Sequence, residues 1–358
     1  MPTTVFYATS RAPIAGATAP PFYGLDATPG AEDGLNTGQA EVTTADEPES
    51  PRRIISVTPD PAPDGKTPSG KTPLGKAAKL VSPAVAAWAE AAIAGQQDAV
   101  LLVHGYANTW EDSILRAAQF RDFYAQAEGG TARPFAVLAF GWPSDGLVMP
   151  PNTHYPADRK DAAAAGPAMA TLLAEVARVA PAIRGRGLKL HLIAHSMGNW
   201  ALRHGLAAHG PPRGAAPLFD EALLTAADED TDALADPAKL AALPALASRI
   251  TVNVYDMDVI LFIARHMTGE LRLGQHWPPP LPAGRDDAAL RVSPSVIELT
   301  DPNLTGHQYY RNNLAIRRDV IAVLEGRAQH SIRGRVVDLV GEGMFVLFGA
   351  TSGDPPMV

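Results

Sequence analysis

Two short stretches of this chain bring together residue types that carry out acyl transfer. Leu190–Trp200 reads LHLIAHSMGNW: an apolar run, a sharp turn at Ser196, and a helix opening near Asn199. A strand, a turn bearing serine and a helix form a nucleophile elbow, which lifts the hydroxyl out of the sheet on a strained backbone. Such a turn needs small residues two before and two after the serine. Ala194 and Gly198 supply them, so the pattern G-x-S-x-G stands here as A-H-S-M-G. Upstream, Leu101–Tyr106 (LLVHGY) reads as a strand ending in a His-Gly turn, with a helix from about Glu111. A loop in that place donates one N–H to a developing oxyanion, and the residue after the nucleophile donates the other. These would be the amides of Tyr106 and Met197, with Gly105 letting the backbone approach the reacting carbonyl. Taken alone, Ser196 could be an ordinary helix N-cap; the upstream motif makes the elbow specific.

A serine nucleophile needs a base to take its proton and an acid to orient that base. With this elbow the chain order is serine, acid, histidine, each on a loop after a strand. Two strand-like runs end in acids: Ile250–Tyr255 before Asp256–Met257–Asp258, and Ala222–Ala226 before Asp228–Glu229–Asp230. Asp258 is preferred because it follows the penultimate predicted strand; Asp228 is the reserve, and Asp256 reads as a helix cap. The base should follow the last predicted strand, Val292–Leu299, and His307 lies there, at the start of the final helix. His266 and His276 precede that strand, His330 follows the helix, and His154, His204 and His209 read as surface or packing residues. His195 is expected to support the turn, and His104 to bond the loop backbone. Trp142, Trp200, Tyr106 and Tyr155 fall near strand ends, where rim packing and an apolar substrate pocket are both open readings.

These residues must be held by a scaffold, and the periodicity supplies one. Strand-like runs at Ala99–Val103, Phe135–Phe140, Leu188–Ala194, Ala222–Ala226, Ile250–Tyr255 and Val292–Leu299 alternate with helical stretches. The helices are predicted at Glu111–Gln126, Asp158–Val179, Asn199–Ala208, Asp232–Ala242, Val259–His266 and Tyr309–Leu324. Such alternation implies an α/β fold with a mostly parallel sheet and helices on both faces. Nearly continuous apolar strands agree with a sheet buried on both sides. Residues 1–76 are expected to be an N-terminal strand and a Pro/Gly-rich extension packed on the core, 77–326 the core, and 327–358 a C-terminal tail. Strand-like pieces stand at Glu41–Thr44 and Arg53–Val57 within the extension.

Composition narrows the function classes. The 358 residues are 46% hydrophobic and 19% charged, with a net charge of −8, a poor balance for gripping nucleic-acid phosphates. There is no cysteine, which removes disulfides, thiolate zinc sites and cysteine nucleophiles. No signal-like start and no membrane-length apolar run is seen, so a cytoplasmic protein without a membrane span is expected. Gly65–Thr72 (GKTPSGKT) fits a phosphate-loop pattern but lacks the preceding strand and following helix that loop requires. His191 and His195 could face one side of a strand, yet no third ligand suggests itself, so no metal is expected.

Beyond the elbow, further blocks resemble a bacterial α/β-hydrolase family of unknown function within the esterase/lipase superfamily. They include VFYATSR (Val5–Arg11), LNTGQAEV (Leu35–Val42), LVHGYANTWEDS (Leu102–Ser113), FGWPSDG (Phe140–Gly146), Tyr155 with Asp158, Asp258 with Leu261, and Gly306–Tyr309. Ala107 interrupts the His-Gly-Tyr-Asn block, and no proline stands in Ala227–Asp230, where the family's acidic block has one. The resemblance implies the α/β-hydrolase fold and a triad of Ser196, Asp258 and His307, without implying a substrate. The expectation is a serine hydrolase, a carboxylesterase acting on small ester substrates without a cofactor. Amidase or thioesterase activity would use the same parts. A non-catalytic binding module would have lost one of them, and a nucleotide binder would use Gly65–Thr72. Oligomeric state is not legible.

Overall fold

An apolar strand hydrogen-bonds both its neighbours only inside a sheet, and the buried runs of this chain assemble in that way. The computed structural model describes residues 2–28, 34–44, 51–61, 81–126, 134–210, 216–276, 281, 284–297, 305–338 and 343–348. The strands are β1 (Thr3–Thr9), β2 (Arg11–Pro13), β3 (Tyr23–Ala27), β4 (Asn36–Val42), β5 (Ile54–Pro59), β6 (Asp98–Val103), β7 (Phe135–Gly141), β8 (Leu190–His195), β9 (Phe219–Thr225), β10 (Ala247–Val254), β11 (Ala288–Val292), β12 (Arg335–Val337) and β13 (Met344–Leu347). Eleven of them form one sheet in the order β12-β13-β11-β10-β9-β8-β6-β7-β1-β4-β5, and β2 and β3 form a separate hairpin. From β13 to β1 every neighbouring pair is parallel; β12, β4 and β5 add antiparallel edges.

The helices are α1 (Pro83–Gly95), α2 (Trp110–Ala125), α3 (Pro151–Ala164), α4 (Gly166–Arg184), α5 (Gly198–His209), the short α6 (Leu243–Leu246), α7 (Val259–Thr268), the short α8 (Pro294–Ile297) and α9 (Leu314–Leu324). Strand alternation sends successive side chains to opposite faces. Leu101 and Val103 of β6 therefore join the core beneath α1, α4 and α5, while Val100 and Leu102 join the core beneath α2 and α9. This is the α/β-hydrolase fold, with helices on both faces and strands of the N-terminal region extending the sheet. Among the described residues no single helix is long and apolar enough to cross a membrane.

Several elements differ from their sequence reading. The stretch expected as one helix over Asp158–Val179 is two, α3 and α4, meeting at Ala165 where Gly166-Pro167 restarts the backbone. Asp232–Ala242, expected as a helix, is a succession of turns, because Pro237 removes a donor and clashes with the preceding turn. The strand expected over Val292–Leu299 ends at Val292. Pro294 cannot donate to a ladder and instead opens the helical turn α8. The final helix begins at Leu314, capped by Asn313, with only a 3-10 turn over Tyr309–Arg311. The stretch expected as a tail supplies β12 and β13, the latter paired with β11. Gly65–Thr72 lies outside the described residues.

Candidate active site

The elbow sits where β8 passes into α5. Ser196 has φ +53°, a left-handed conformation that costs a non-glycine residue on the order of 1–3 kcal/mol. Its own backbone is held on both sides. The Ser196 N–H donates to the Thr225 carbonyl at 3.0 Å, while its carbonyl accepts from the N–H groups of Asn199 (3.0 Å) and Asp228 (3.1 Å). The Asn199 side-chain amide donates to the Ser196 and Ala194 carbonyls, each at 3.0 Å. A Cβ on Gly198 would stand 2.5 Å from the His104 carbonyl oxygen, and one on Gly105 would stand 2.6 Å from Ser196 Cβ. Both glycines are thus required by close packing of the elbow against the β6 loop.

Asp258 caps α7: its Oδ1 accepts from the Leu261 N–H at 2.9 Å. Its Oδ2 lies 2.7 Å from His307 Nδ1, and both side chains are buried. Burial pushes the Asp258 carboxyl above its usual range, opposed by His307 and by the N–H groups of Leu261 and Ile260. The loop carrying His307 is pinned at three points. The Val259 N–H donates to the Thr305 carbonyl at 3.2 Å. Gly306 has φ +61° and packs so closely that a Cβ there would be 2.2 Å from the Tyr255 ring. The Tyr309 hydroxyl accepts from the Ala226 N–H at 2.9 Å. His195, next to Ser196, donates from Nε2 to the His307 carbonyl at 3.0 Å, with the two rings 4.7 Å apart. Burial holds the His195 imidazole well below its usual range, which keeps it neutral and fixes this donor role.

The β6 loop that carries Gly105 and Tyr106 is framed by buried polar groups, and Arg11 is the one among them that the sequence left without a role. His104 stacks on the buried Trp142 ring and spends its ring nitrogens on the Gly105 carbonyl (2.8 Å) and the Trp142 N–H (3.2 Å). Burial pushes it down to about 3, so it is a neutral structural residue. Arg11, at the start of β2 and fully buried, donates to the carbonyls of Asn108 and Ser144, both at 2.7 Å, and of Gly24 at 3.0 Å. The Ser144 hydroxyl accepts from the Asn108 N–H at 2.9 Å and donates to Asp158. Asp158 also accepts from the Ala107 N–H at 3.3 Å. The amides of Tyr106 and Met197 have no hydrogen-bond partner among the described residues. Removing the guanidinium in Arg11→Met strips three carbonyls of their donor. It should destabilise the fold by roughly 2–5 kcal/mol, read by denaturant unfolding; a change within about 0.5 kcal/mol, typical of a surface site, would refute the clamp.

Asp228 is occupied elsewhere: both its carboxylate oxygens accept from the Tyr155 hydroxyl, at 3.0 and 2.8 Å, and Arg272 lies 3.4 Å away. Asp256 is exposed, 3.4 Å from Arg291, and does not cap α7; Asp258 does. Trp200 packs under the guanidinium of Arg159 at 3.6 Å. Next to Asp228, Glu229 is buried with Arg203 at 3.3 Å, and burial pushes its carboxyl up to about 7 from an ordinary 4.5. Between those two values the folded chain holds a proton that the unfolded chain has lost. This group therefore makes stability fall as pH rises through that window. Glu229→Gln should remove a slope worth on the order of 1–3 kcal/mol between pH 5 and 8. Parallel unfolding curves for parent and variant at both pH values would contradict it.

A family profile described as alpha/beta hydrolase of unknown function (DUF900) matches residues 84–327. The chain belongs to that family. The matched span runs from α1 to just past α9 and so contains the elbow, Asp258 and His307. Comparison with curated proteins and with solved structures gives no match.

Proposed function

We propose that this α/β-hydrolase is a serine carboxylesterase in which Ser196, Asp258 and His307 do the chemistry. The observation that carries the reading is the 2.7 Å contact between His307 Nδ1 and the buried Asp258 carboxylate, on a loop bound to the elbow residue His195. With Nδ1–H committed to Asp258, Nε2 is the free base. It takes the Ser196 hydroxyl proton as Oγ bonds the acyl carbon, and the carbonyl electron pair moves onto oxygen. The Tyr106 and Met197 amides receive that oxyanion. Collapse expels the alcohol, which takes the proton from His307. Water, activated by the same nitrogen, then frees the acid and restores Ser196.

Every step uses groups of this chain and none requires a cofactor. Tyr155, Asp228, His104, Gly105 and Trp142 position the site: the first two brace one another, and the others shape the oxyanion loop. The direct test is hydrolysis of p-nitrophenyl esters beside the matching anilides and thioesters. Ester turnover exceeding that of both supports the reading. Preferential cleavage of anilide or thioester would move the same machinery to an amidase or thioesterase. Turnover of none would leave a binding module.

A further inference from the structure

An apolar cleft opens directly beside the β6 loop. It is small and lined almost entirely by apolar atoms, running between Tyr106, the β7–α3 loop at Val148 and Met149, Tyr155 of α3, and Ile260 and Ile263 of α7. Its walls are tied to the reacting groups. Tyr106 carries one of the oxyanion amides and its hydroxyl donates to the Val148 carbonyl at 3.2 Å. Ile260 stands two residues after Asp258, on the helix that Asp258 caps. Tyr155 is buried, with its hydroxyl fixed on Asp228, and forms the inner wall; Met149, 69% exposed, stands at the mouth.

The helix α7 makes the point more sharply. It reads VILFIARHMT, yet only Leu261 and Ala264 are buried. Ile260 and Ile263 turn to the cleft, and Phe262 is 52% exposed on the same helix. Apolar side chains left partly exposed on both banks of a cleft beside the Tyr106 loop mark a place that apolar ligand surface covers.

We propose that this cleft holds the hydrocarbon chain of the substrate, making the preferred substrates esters with extended alkyl acyl groups. The inference rests on the ester-hydrolase reading. A chain lying along Ile260, Ile263 and Val148 leaves water methylene by methylene, while its carbonyl stays at Tyr106. Each methylene buried should raise kcat/KM on the order of threefold to fourfold until the cleft is full.

The test measures kcat/KM for p-nitrophenyl acetate, butyrate, hexanoate and octanoate with the parent, Ile263→Trp and Val148→Trp. Two variants on opposite walls guard against one that does not fold. The parent should climb with chain length, and each tryptophan should cut the octanoate-to-acetate ratio at least about tenfold by filling the space of several methylenes. A flat parent profile, or a ratio unmoved by both variants, overturns the cleft as chain site while ester hydrolysis stands. If no ester is turned over, the proposed function fails and the cleft is judged by fluorescence titration with 11-(dansylamino)undecanoic acid. Saturable binding that Ile263→Trp weakens supports the cleft; no saturable binding overturns it.

Discussion

Ser196→Ala should lower ester turnover by about 10^6-fold, the loss seen when a serine nucleophile is removed from a working triad. The size follows from the division of labour. Without Oγ no acyl-enzyme forms, and what remains is the oxyanion amides and substrate binding. Neither uses the Ser196 side chain, so both survive the substitution. The fold should survive too, because the strained turn is held through the Ser196 N–H and carbonyl, which alanine retains. An alanine variant with unchanged unfolding and full turnover would show that another group is the nucleophile.

Asp258→Asn should cost about 10^4-fold in turnover through the wrong histidine tautomer. The geometry around the carboxylate dictates this. Oδ1 accepts from the Leu261 N–H, so in the variant that position is held by the amide oxygen. The amide nitrogen then faces His307 Nδ1 as a donor. His307 must accept there, which puts its proton on Nε2, where the base has to be free. Asparagine is as good a helix cap as aspartate, so α7 is not expected to unravel. Asp228→Asn is the control with the opposite expectation. Its carboxylate meets Tyr155 and Arg272 and not His307, so it should lower activity less than Asp258→Asn. A reversal of that order would make Asp228 the acid.

The parts of the site that could be read in the sequence are those carried by local pattern. The unbroken apolar runs of β6 and β8, each followed by a turn with glycine, suffice to put Gly105 and Ser196 at strand ends. Asp258 and His307 followed from their order after later strands. The observed 2.7 Å contact between them spans 49 residues of chain, with the strand β11 in between. Chain order points to one histidine, His307, for the proposed base, although the strand expected just before it ends early, at Val292. What could not be read depends on contacts between distant segments. Arg11 is a single arginine in a short strand, and its partners Asn108 and Ser144 lie 97 and 133 residues away. Its one local signal is a charge following the apolar run of β1. For His195 the local pattern implies support of the turn; that it bonds the His307 carbonyl depends on a loop 112 residues later. Two of the helices that differ from their sequence reading do so at prolines: Pro167 and Pro237 sit inside stretches whose apolar spacing alone suggests continuity.

The measurement that tests the central claim most directly is the intact and peptide mass of the protein after exposure to a p-nitrophenyl alkylphosphonate, which traps an activated serine as its phosphonyl ester. The account expects one adduct per chain, on the peptide containing Ser196, formed in step with loss of esterase activity and absent from Ser196→Ala. Esterase activity that survives complete exposure without an adduct, or an adduct on another residue that tracks the loss, would contradict it.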